Sequence, residues 1–182
     1  MSDYPIQTIG QTSDAARPVL EQVQKAFGIV PNIAGAMANS PELLKDFWGL
    51  FQQVHAGTFT EAEIQTLLLT NAVTNASAWA VAFHTMLALK EGIDAADVAA
   101  IRAGQPPADA RLAALSSYAR HLIERRGHAN TDVLNDFLKA GYSHAQSLEV
   151  LAVTAASTIT NYTGSITNPP LEDFLGEHAW QQ

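Results

Sequence analysis

An all-α fold is predicted by three features of the sequence. From Thr66 to Leu89 the chain carries no Asp, Glu, Lys or Arg, yet Asn71, Asn75, Ser77 and His84 interrupt the apolar run. A lipid-facing span would leave each of these polar groups seeking a partner in hydrocarbon. The run therefore reads as two consecutive buried helices, broken near Asn75–Ser77. Thr60-x-x-Glu63 and Ser143-x-x-Gln146 are capping boxes, each opening a long apolar stretch. No stretch alternates apolar and polar residues between turn signals as a half-buried strand would. About seven to nine helices in a single domain, 1–182, follow from this punctuation.

In chain order, residues 1–12 read as an extended arm ordered against a partner subunit. A helix starting at Ser13 or Asp14 runs through Val19, Leu20, Val23 and Phe27 to a stop at Gly28. Pro18 falls near its first turn, where a missing N–H costs least. GIVPNIAGAMANS reads as a turn and a short helix. Ser40-Pro41-Glu42 supplies an N-cap and a proline at the first helical position, and the helix it opens turns Leu43, Leu44, Phe47, Trp48 and Phe51 inward before Gly57. The central pair spans residues 60–92. A short helix over Asp94–Ala103 precedes the loop GQPPADA, and Ala108–Arg126 ends on basic residues before Gly127, as a helix dipole prefers. Asn130 or Thr131 caps a helix ending at Gly141. Leu148–Ile166 is the second long, nearly uncharged helix, a faint echo of the first. NPPLEDFLGEHAW closes the chain as a turn, a short helix and an aromatic anchor.

Composition removes several function classes. A formal charge of −8 opposes nucleic acid or an anionic membrane as partner. The start MSDYPIQTIG lacks a basic segment followed by an apolar one, so cytoplasmic residence is the expectation. With 0 cysteines, disulfides, thiolate catalysis and cysteine-ligated metal are all excluded. His55, His121, His128, His144 and His178 form no i,i+4 pair and no HExxH, so neither metal nor cofactor is expected.

Thr60–Gly92 resembles the signature of the carboxymuconolactone decarboxylase and AhpD-like alkylhydroperoxidase superfamily, with an acidic residue on one helix and Cys-x-x-Cys-x-x-x-His on the next. Asn75, Trp79, His84 and Gly92 keep that frame. The two cysteine positions hold Ser77 and Ala80, and the acidic position holds Gln65. Gly28-Ile29-Val30-Pro31-Asn32 resembles an element of the peroxidase-related members. Gly141-Tyr142-Ser143, Leu148-Glu149-Val150, Asn161-Tyr162 and Leu171–Phe174 resemble the C-terminal half. The resemblance implies an AhpD-like bundle that assembles as a trimer or hexamer, with Trp48, Trp79 and Trp180 as candidate interface anchors.

Serine does not ionise near neutrality and forms no disulfide, so the dithiol peroxidase reaction is not expected here. The decarboxylase branch works without cysteines but carries a carboxylate where Ala80 stands. What remains is His84 as acid or base near its ordinary pKa of roughly 6.5, with Gln65 and Ser77 beside it in the family frame. Asn71, Trp79 and Ala80 would line a pocket for a small organic substrate, an acid or a lactone. Ser77, Ala80 and His84 share one helix face. Ser77 and His84 are nonetheless separated by roughly 10 Å of helical rise, too far for a nucleophile–base pair. Two further readings stand beside acid–base chemistry: a degenerate homologue that binds without turnover, and an antioxidant protein by descent. On the plainest reading, His84 is a hydrogen-bonded core residue, Ser77 a cap, and Trp79 and Phe83 core or interface.

Overall fold

The computed structural model describes residues 3–181. Among the described residues nine α-helices run in the order α1 Arg17–Phe27, α2 Asn32–Met37, α3 Pro41–His55, α4 Glu61–Thr74, α5 Ala78–Lys90, α6 Ala95–Arg102, α7 Ala110–Glu124, α8 Thr131–Lys139 and α9 His144–Thr167, followed by a 3-10 helix over Asp173–His178. The all-α expectation is met. Among the described residues no helix is long and apolar enough to cross a membrane.

The bundle is assembled around α4, which is buried without a break from Glu63 to Ala72. It packs on α5, α7, α9 and α6, so no side of it faces water and its charge-free sequence is accounted for. Its start is fixed by the predicted capping box. Thr60 Oγ1 accepts from Glu63 N at 3.3 Å, and Glu63 Oε2 accepts from Thr60 N at 2.9 Å. Burial pushes the Glu63 carboxyl up in pKa, but hydrogen bonds from Thr60, from Arg111 and from Tyr142 together hold it below the ordinary value. The break also falls where expected. Ser77 N reaches back to Ala72 O, Ala76 takes a positive φ of 53°, and the chain turns into α5.

Four expectations need correction. The first helix begins at Arg17 rather than Ser13, because Ser13 O accepts from both Ala16 N and Arg17 N and closes a separate turn first. The arm does not wait for a partner subunit: its described part lies on α2 of the same chain. Gln7 N donates to Gly35 O at 3.1 Å and Asn39 Nδ2 donates to Pro5 O at 2.9 Å; Met1 and Ser2 fall outside the described residues. The tryptophans are internal anchors. The indole N–H of Trp48 donates to Gln22, that of Trp79 to Glu172, and that of Trp180 to Arg102 O. Leu43, expected inside, is 37% exposed.

The arm lies so close to α2 that position 35 admits no side chain. A Cβ there would come within 2.7 Å of Ile6 Cγ2 and 2.8 Å of the Gln7 carbonyl oxygen. Gly35→Ala should therefore destabilise the protein by about 1–3 kcal/mol through overpacking. A urea midpoint equal to wild type would mean that the arm is not seated on α2 in solution.

Candidate active site

α4 and α5 pack against each other and bring together two residues separated by 19 positions. His84 Nδ1 lies 3.0 Å from Gln65 Oε1, both side chains being buried. A carboxamide oxygen accepts only, so Nδ1 carries the proton and Nε2 keeps its lone pair. Burial, reinforced by the field of the His55 imidazole, pushes the His84 pKa down to about 3. The imidazole is thus neutral at pH 7, and the expectation of a residue poised near its ordinary value is overturned by desolvation.

His84 lines a recess closed in by α1, α2, α3, α4, α5 and α9, with room of about 60 Å³ for the centres of water-sized atoms. Its wall is aromatic. Phe27 packs edge-on to Trp48 and Phe83, with centroids 6.4 and 6.0 Å away. Trp48 stacks on Phe51 at 5.3 Å, and Trp79 stacks on Phe83 at 4.9 Å. Trp79 and Phe83 line this recess while belonging to the core, at 6% and 8% exposure. The ring of Phe83 meets that of His84 edge-on at 5.6 Å.

A second imidazole completes the site. His55, the last residue of α3, lines the same recess. Its Nδ1 is 3.0 Å from each carboxylate oxygen of Glu61, its ring lies 4.3 Å from that of Phe51, and its Nε2 is buried without a partner among the described residues. The sequence reading dismissed His55 as one of five scattered histidines. The signal available was the spacing Phe47, Phe51, His55, which places two aromatic rings and an imidazole on one helix face.

The other predicted site residues do not join. Asn71 is wholly buried, its side-chain amide has no partner among the described residues, and it lines neither the His84 recess nor the cleft beside Ser77. Ala80 is packed in the core at 1% exposure and lines neither the His84 recess nor the cleft beside Ser77. Ser77 faces that cleft, which shares only Trp79 with the recess of His84. Gln65, Trp79 and His84 are together; Ser77, Asn71 and Ala80 are apart from them.

No protein-family model matches the chain, and no curated protein matches it in sequence. Solved structures do resemble it in fold. The AhpD core of an uncharacterized peroxidase-related protein from Ralstonia eutropha JMP134 superposes with a TM-score of 0.80 at 19% identity, over 96% of this chain and 94% of that one. An uncharacterized peroxidase-related protein from Silicibacter sp. TM1040 gives 0.78 at 18% identity, over 95% and 92%. A cysteine-to-alanine variant of the debrominase Bmp8, in complex with 2,3,4-tribromopyrrole, gives 0.76 at 18% identity, over 98% and 97%.

Proposed function

The fold is AhpD-like, and we propose that the chain uses it to bind a small, flat, mostly apolar molecule carrying one weakly acidic O–H or N–H. The observation that carries this reading is the His84 imidazole. It is held neutral, with Nδ1 committed to Gln65, on the wall of an aromatic recess. A free carboxylate would enter such surroundings only at a large desolvation cost. A phenol or a pyrrole-type N–H brings an apolar ring for the cage and one proton for Nε2. Halogenated pyrrole bound to Bmp8 is a ligand of this kind. About 60 Å³ of space for atomic centres limits the ligand to one small ring.

The chemistry this arrangement supports is proton transfer. The ligand X–H bond breaks, Nε2–H forms, and an X⁻···imidazolium pair results. Attraction between the two new charges in low dielectric recovers part of the cost of forming them away from water. His55, itself oriented by Glu61, is the second titratable group at the recess. Dithiol chemistry has no participants, since the chain has 0 cysteines. Binding without turnover is the alternative, favoured by the low basicity of His84.

A titration followed by NMR of the histidine side chains tests the reading, using phenol against toluene. Phenol should bind saturably and roughly tenfold more tightly than toluene, the worth of one buried hydrogen bond. Gln65→Leu, which leaves Nδ1–H unpaired, should remove that preference. Equal binding of the two rings, or none of either, would sink the proposal.

Self-association is proposed through a surface other than the tryptophans. Leu148, Leu151, Tyr162 and Ile166 are 67%, 46%, 57% and 67% exposed along one stripe of α9. A second copy would cover it. Sedimentation should show an oligomer that Leu148→Lys/Ile166→Lys dissociates; a monomeric wild type refutes the idea.

A further inference from the structure

The break between α4 and α5 opens onto a second, larger recess, with about 510 Å³ for the centres of water-sized atoms. Ala76, Ser77 and Ala78 form one wall, while Gly164, Ser165 and Asn168 at the end of α9 form another. α5 begins here, and its 13 residues aim their dipole at the opening. The first helical bond is from Val81 N to Ser77 O, so the amides of Ala78, Trp79 and Ala80 have no acceptor among the described residues.

A second observation makes this more than a helix end. Ser77 occupies the N-cap position, yet its side chain makes no cap hydrogen bond. The residue is only 4% exposed, lines the recess, and its hydroxyl has no partner among the described residues. Across from it stands Gly164, where a Cβ would come within 3.3 Å of Ser77 Oγ. The glycine keeps the space before the hydroxyl open. The Ser77 O–H and three amide N–H groups at one helix N-terminus make a set of donors without an acceptor among the described residues, which suits an oxyanion.

We infer that this recess is a separate ligand site taking the carboxylate of a small organic acid, with Ser77 Oγ and the first amides of α5 as donors. The single charge is chosen by the surroundings. No Lys or Arg lines the recess. Glu172, next in sequence to the lining residue Leu171, already occupies the Trp79 indole N–H and the Asn32 amide. Its negative charge penalises a dianion such as phosphate more than a monocarboxylate. The site shares only Trp79 with the His84 recess, and the proposal does not rest on the reading of that recess.

The test is an amide NMR titration of the whole chain with sodium acetate at constant ionic strength, with inorganic phosphate as the second arm. Acetate should shift Ala78, Trp79, Ala80 and Gly164 saturably in the millimolar range, leaving the His84 ring signals in place. Ser77→Ala should weaken the binding several-fold while leaving the urea midpoint unchanged, because its hydroxyl caps nothing. Gly164→Ala should weaken it further by closing the space before the hydroxyl. Shifts that grow linearly without saturation, or that survive both substitutions, would overturn the site. Phosphate binding as tightly as acetate would overturn its assignment to a carboxylate.

Discussion

Lowering the pH from 7 to 5 should cost the folded protein about 2 kcal/mol through His84 alone. The folded imidazole is pushed down to about 3 from an ordinary value of 6.5. Between those two values the unfolded chain binds a proton that the folded chain refuses. The contribution of His84 is therefore complete above pH 6.5, and it is lost progressively as the pH falls from there toward 3. Glu63 also has a lowered carboxyl, from an ordinary value of 4.5, and its stabilising share is lost only at lower pH, as the pH falls through its folded value. Urea denaturation of wild type and His84→Gln at both pH values isolates the histidine. The wild type should lose about 2 kcal/mol more than the variant. Parallel losses in the two proteins would mean that His84 titrates as if in water, and the desolvated recess on which the proposed binding rests would be ruled out.

Trp79→Ala should be the most damaging single change at the site, at roughly 3–5 kcal/mol. The indole is 6% exposed, stacks on Phe83 at 4.9 Å and donates to Glu172 Oε2 at 3.0 Å. Truncation would remove the wall between the two recesses and the stack that positions Phe83 against His84. It would also leave the Glu172 carboxylate with the Asn32 amide as its remaining partner. Trp79→Phe keeps an aromatic wall and loses the indole hydrogen bond and part of the ring, so a loss of about 1–2 kcal/mol is expected. Denaturant unfolding measures both. Similar losses for the two variants would place the energy in the hydrogen bond to Glu172 rather than in ring packing.

Local signals located the elements well. Ser40, Thr60, Asn130 and Ser143 each cap the helix they were expected to open, because capping depends on residues within one turn of one another. Gly28 ends α1 with a φ of 78°, a conformation that its lack of a Cβ makes cheap. Signals failed where the partner was distant in sequence. Nothing local marks Glu149 as a tether, yet its carboxylate accepts from Thr58 N and Oγ1 and ties α9 to the loop before α4. The arm was misread for the same reason, since its partners Gly35 and Asn39 lie some thirty positions away.

The residues themselves determined that this chain is helical, that it breaks near Asn75–Ser77, and that no thiol can act in it. Those properties follow from composition and from contacts within a turn of helix. Tertiary structure alone decided which polar groups meet. A helix face of Ser77, Ala80 and His84 looked like one site. Packing instead turned Ser77 to a cleft, sealed Ala80 in the core, and gave His84 to Gln65 and an aromatic recess shared with His55. It also set the protonation of His84, because desolvation is imposed by six helices closing around the ring. Side-chain direction and dielectric surroundings belong to the assembled bundle, and no short stretch of sequence carries them.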